Sequence, residues 1–127
     1  MCRRLCEPNG PEIMLILPMQ TSGWLEQTTM DVLRARLLEK LRAADRHGRL
    51  RIYYPVVPEL TDACVNVHVK LMIVDDRLLR IGSANLSNRS MGLDTECDLA
   101  IEAHDDDQRR AIVAFRNHLL SQHSGSR

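Results

Sequence analysis

The amino-acid sequence predicts an α/β fold, a mixed β-sheet flanked by helices, and three features carry that prediction. Short apolar runs, several alternating with a two-residue period, stand between prolines, glycines and paired acids, the pattern of strands. Two longer segments repeat their apolar residues at helical spacing. In order, the segments run strand, helix, strand, strand, strand, strand, helix, and strands interrupted by helices build a layered sheet. At 127 residues there is room for one compact domain.

Glu12 to Leu17 is an apolar run stopped by Pro18, too short for a free helix, and reads as a buried strand. After Thr21-Ser22-Gly23 comes a long helix with Met30, Leu33, Leu37, Leu41 and Ala44 as its core stripe and Gly48 to end it. Arg49 to Tyr54 sets Leu50, Ile52 and Tyr54 against Arg49, Arg51 and Tyr53, a strand broken by Pro55-Val56-Val57-Pro58. A loop from Pro55 to Ala63 leads to the segment Val65 to Asp75, in which Val65, Val67, Val69, Leu71 and Ile73 share one face and Asn66, His68 and Lys70 the other. Asp75-Asp76 supplies a turn into the hairpin partner Leu78-Leu79-Arg80-Ile81. Thr95 to Glu102 is a further strand, with Cys97, Leu99 and Ile101 opposite Glu96, Asp98 and Ala100. Asp105-Asp106-Asp107 opens a helix whose apolar side is Ile112, Phe115 and Leu119. Three acids there complement the helix dipole, which is the commoner reason for them than a metal site. Residues 1–10 and 122–127 read as flexible ends.

Charge is balanced, 17 basic against 17 acidic residues, so no field of one sign draws the chain to nucleic acid or anionic lipid. No apolar run approaches the roughly 20 residues needed to span a bilayer, and Met1 to Cys6 lacks the apolar core of a secretion signal. Cys2, Cys6, Cys64 and Cys97 form no pair of close metal-ligand doublets, which favours free thiols in a reducing compartment over disulfides or zinc.

The chemistry concentrates around His68 and Lys70, two residues apart on one strand, with Cα atoms roughly 6.6 Å apart and side chains on one side. A turn at Asp75 and Asp76 is expected to return Ser83 and Asn85 alongside them. An imidazole, a fixed cation, a hydroxyl and an amide suit a phosphate group. Lys70 offsets its charge, Ser83 and Asn85 donate to phosphoryl oxygens, and Gly82 leaves room for close approach to the backbone. His68 is then the nucleophile, provided its reacting nitrogen is unprotonated and its other nitrogen is held by an acceptor, for which the next strand offers Glu96, preferred here, or Asp98. Asp75 has the parity of the valines and is read as a turn or structural residue. Each residue alone has a plainer reading, a satisfied structural histidine, a solvated lysine, two turn residues; their joint occurrence changes the weighting.

His68-Val69-Lys70, four residues, then Asp75, followed by Gly82-Ser83-Ala84-Asn85, resembles the HxKxxxxD motif and GSxN companion of the phospholipase D superfamily. The stretch Val67 to Glu102, including Asn88-Arg89-Ser90 and Glu96, is most similar to the second half of bacterial phospholipase D, transphosphatidylase and cardiolipin synthase-like proteins. The resemblance implies one half of the duplicated phospholipase D fold over residues 1–127. It also implies metal-independent, cofactor-free phosphodiester hydrolysis or transphosphatidylation on phospholipids through a phosphohistidine. Carried over by position, His68 is the catalytic histidine, Lys70 the catalytic and phosphate-binding lysine, Ser83 and Asn85 phosphate contacts, and Glu96 the carboxylate that orients the histidine. Asp75 and Gly82 are structural motif residues.

No other His-x-Lys occurs in the chain, so only half of a two-histidine site is present. The missing half is expected from a longer protein or from a symmetric homodimer. Two competing readings are a dimeric nonspecific endonuclease of the same superfamily and a non-catalytic phosphate-binding or assembly module. Balanced charge, with Lys40 and Lys70 as its two lysines, tilts against a polyanion groove, and no specific nucleic acid is expected. Cysteine usage and the implied lipid substrate together point to the cytoplasm or the periphery of the cytoplasmic membrane.

Overall fold

Parallel strands must be joined by a crossover, and the first half of the chain builds one from a long helix between two short strands. The computed structural model describes residues 1–18, 24–56, 65, 67–85, 87, 90 and 92–124, with side chains described from residue 32 of the long helix and up to residue 122 of the last. They form two compact units, Met1–Val67 and His68–Arg127.

In the first unit the order is α1 (Cys2–Cys6), β1 (Ile13–Ile16), α2 (Trp24–Ala44) and β2 (Leu50–Tyr53). Strands β1 and β2 pair in parallel, Ile13 with Leu50 through Ile16 with Tyr53. Ile13, Leu15, Leu50 and Ile52 pack on a core of Leu5, Leu38, Leu41 and Ala44. Two expectations are corrected here. The first ten residues are not a loose end: Cys2–Cys6 is helical and Leu5 is fully buried, held by apolar contact with α2. The core stripe of α2 is also rotated. Leu33 and Leu37 are exposed, whereas Leu38, Leu41 and Ala44 are buried, because adjacent leucines at 37 and 38 offer two overlapping stripes and the sheet takes the second. Met30 lies outside the described side chains. The helix ends at Ala44, and the Asp45 carboxylate accepts from the amides of Arg49 (2.8 Å) and Leu50 (2.9 Å), across a turn containing Gly48 at φ +65°. Cys2, Cys6 and Cys97 are free thiols among the described residues.

In the second unit, β3 (Lys70–Val74), β4 (Leu78–Gly82) and β5 (Asp98–Glu102) form an antiparallel sheet, and α3 (Asp106–Ser124) packs on it. The α/β class therefore holds, with parallel pairing in one sheet and antiparallel pairing in the other. Leu71, Ile73 and Leu79 alternate onto the face that meets Ala103, Ile112 and Phe115. Asp105 starts α3 by accepting from Gln108 N–H (2.7 Å), while Gln108 accepts from His104 N–H (2.8 Å). Because α3 runs to Ser124, residues 122–124 of the expected flexible tail are helical, and 125–127 lie outside the described residues. Both outer strands are shorter than expected. β3 begins at Lys70 instead of Val65, and Val69 is 69% exposed; β5 begins at Asp98 instead of Thr95. No helix among the described residues is long and apolar enough to cross a membrane.

Candidate active site

The hairpin between β3 and β4 decides which side chains stand together. Asp75 (φ 51°) and Asp76 (φ 55°) both take the left-handed conformation, and Arg77 N–H donates to Val74 O at 3.0 Å. Aspartate tolerates that region better than most residues, so the two acids make the turn as read from the sequence. One extra residue, Arg77, follows before the ladder begins at Val74 opposite Leu78. The register is therefore Lys70 opposite Gly82. A two-residue connection would have put Ser83 in the His68 row, but the third loop residue shifts the pairing by one, and a shift of one exchanges faces. Continued beyond the ladder, this register sets Ser83 beside Val69, which corrects the expected alignment.

Lys70 and His68 do converge. Lys70 Nζ lies 3.0 Å from His68 Nε2 and donates to His68 O at 2.9 Å. An ammonium has only donors, so in this contact Nε2 is the acceptor, which favours the neutral tautomer with its proton on Nδ1. His68 is exposed and lies just before β3, while Lys70 is half-buried at its first position.

Ser83 and Glu96 form a second pair. Ser83 Oγ donates to Glu96 Oε2 at 2.6 Å and accepts from Cys97 N–H at 2.9 Å, and Ser83 N–H donates to Cys97 O at 3.1 Å. The Glu96 carboxylate expected on His68 is thus engaged by Ser83 in this structure. Its strand stops short of residue 96, and the bend at Ser83 reaches it first. Asn85 is exposed, three residues past the end of β4. Asn66, Asn88 and Arg89 lie outside the described residues; Ser90 is buried and donates its N–H to Ser87 Oγ at 3.2 Å.

A third group was not assigned this role from the sequence. Gly82 faces Asp98 across β4 and β5, so Lys70, Gly82 and Asp98 form one row across the sheet with their side-chain positions on one face. Asp98 accepts from Arg80 Nη2 at 2.7 Å and from Ala84 N–H at 3.4 Å. The Arg80 hydrogen bond first, with the amides of Ala84 and Ser83 behind it, holds the Asp98 carboxyl below the usual aspartate range. A signal for Asp98 existed in its parity, which matches Lys70 once the register is known.

Residues 4–119 match the family described as "Cardiolipin synthase, PLD-like domain". Over 65 residues the chain is 42% identical to phospholipase D alpha 4 of Arabidopsis thaliana, a stretch that covers 50% of this chain and 8% of that protein. No solved structure matches the chain. With the motif residues gathered on one hairpin and its flanks, and the family match extending over most of the sequence, the chain belongs to the cardiolipin synthase-type, phospholipase D-like domains of the phospholipase D superfamily.

Proposed function

We propose that this chain carries half of a phosphodiester-exchange site acting on phospholipids, with His68 as nucleophile and Lys70, Ser83 and Asn85 as ligands of the phosphoryl oxygens. The observation that carries the reading is the 3.0 Å approach of Lys70 Nζ to His68 Nε2. An anion seated on that ammonium lies within reach of the ring nitrogen. The Nε2 lone pair attacks phosphorus, a P–N bond forms as the ester P–O bond breaks, and the leaving alkoxide takes a proton from the histidine of a second motif. Water or another alcohol then attacks the phosphohistidine, losing its proton to that same second histidine as the P–N bond breaks. Lys70 must leave Nε2 for the phosphate as substrate binds, so one cation both holds the tautomer and receives the anion.

The phospholipid class is supported by the description of the matched family and the name of the plant relative. A second copy of this chain, or another segment of a longer protein, supplies the second motif. The test is incubation with phosphatidylglycerol vesicles and, in parallel, with duplex DNA, followed by mass spectrometry of the His68 peptide and sizing of the protein. A phosphatidyl adduct on His68 that is absent from His68→Ala is the expected result. An adduct with DNA alone would replace the lipid reading with the endonuclease one, and no adduct with either would leave a binding module.

A further inference from the structure

The Gly82 position is shaped by a neighbour. A Cβ built on Gly82 falls 1.6 Å from Asp98 Oδ1 and 2.5 Å from Asp98 Cγ, so the Asp98 carboxylate occupies the space a side chain would take. From there it meets Arg80 on one side and the Ala84 amide on the other. We propose that Asp98 is a positioning residue: its carboxylate, lodged over Gly82, sets the bend through Ser83 and Ala84 that aims Ser83 and Asn85, and Gly82 is glycine to admit that carboxylate.

Three observations converge on this role. Asp98 stands in the Lys70 row, on the face where a phosphate bound by Lys70 would lie. It holds the chain at Ala84, midway between the two polar residues that follow β4. The backbone of Ser83 is tied on its other side to Cys97, next to Asp98 in sequence, so β5 fixes the bend through both residues. The charge of Asp98 is matched by Arg80, which keeps it from drawing Lys70 off His68. The Lys70 cation stays available for an anion. That consequence rests on the phosphate-site reading above; the claim about Gly82 and the bend does not.

A double-mutant cycle separates the two. Gly82→Ala, Asp98→Ala and the double variant are compared by thermal melting, with amide spectra of residues 83 to 85 as a readout of the bend. Gly82→Ala alone is expected to lower the melting temperature and displace those amide signals. In the Asp98→Ala background its effect should shrink to less than half, with a remainder because Asp98 Cα itself lies 2.8 Å from the built Cβ. Equal costs in both backgrounds would overturn the proposal. In the second arm, tungstate is titrated as a phosphate mimic. Asp98→Ala should bind it about tenfold more weakly, the loss of one ordering hydrogen bond, while Asp98→Asn, which keeps an acceptor for Ala84, should stay within about threefold of the parent. Undiminished binding by a folded Asp98→Ala would refute the positioning role. Absence of binding by the parent would refute the phosphate site, while the cycle still decides about Asp98.

Discussion

Replacing Lys70 with methionine keeps the length of the side chain and removes the donor that faces His68. In the parent, Nζ stands 3.0 Å from Nε2, which favours the tautomer with the ring proton on Nδ1. A buried hydrogen bond from a charged donor contributes about 1.5–3 kcal/mol, but His68 is exposed and Lys70 only half-buried, so screening by water reduces the bias to about 0.5–1 kcal/mol. That difference corresponds to a change of about two- to fivefold in the ratio of the two neutral tautomers. Nitrogen-15 spectra of the His68 ring, recorded at a pH where the ring is neutral, read the ratio directly. The parent should be enriched in the Nδ1–H form and Lys70→Met shifted toward the Nε2–H form. Inorganic phosphate added to the parent should move the ratio in the same direction, because the ammonium then turns to the anion. Identical ring spectra for parent and variant would refute the contact and the role drawn from it.

Leu41→Ala empties a site that is 1% exposed in the first core and should destabilise that unit by about 2–5 kcal/mol in urea titrations. At φ 51°, Asp75→Val should cost about 1–2 kcal/mol, whereas Asp75→Gly should be neutral or slightly stabilising by the same titration. The amides of Leu50 and Arg49 hold the Asp45 carboxyl below its ordinary value of 3.8. A depressed folded-state value means stability that is complete above the ordinary one and lost as pH falls through the folded one. The melting-temperature gap between parent and Asp45→Ala should accordingly be constant above about pH 5 and narrow in stronger acid.

Local chemistry was legible in the sequence wherever one residue type had one physical use. Asp105 reads as a helix start, Pro18 as a strand stop, and Asp75-Asp76 as a turn, and the structure places each there. The motif spacing also pointed to His68 and Lys70 as neighbours. Position beyond the local chain was not legible. Leu5 looks like part of a polar end until α2 is there to bury it, and Leu37 and Leu38 are equal candidates until the sheet selects one. The sequence gives no sign that Arg77 belongs to the loop and not the ladder, and this single residue moves Ser83 out of the His68 row. Glu96 and Asp98 could not be told apart by pattern, because their partners, Ser83 and Arg80, follow from that register.

The turn at residues 75–77 accordingly behaves as a counting device. Its chemistry can be exchanged, since other residues that accept left-handed backbone would serve, but its length cannot. If the turn keeps its three-residue form, losing or gaining one residue there would swap the odd and even members of β4 opposite Lys70 and bring Ser83 or Ile81, respectively, to the place of Gly82. Among natural variants of this hairpin, exchanges of residue type should accumulate at the tip while single-residue insertions and deletions stay absent.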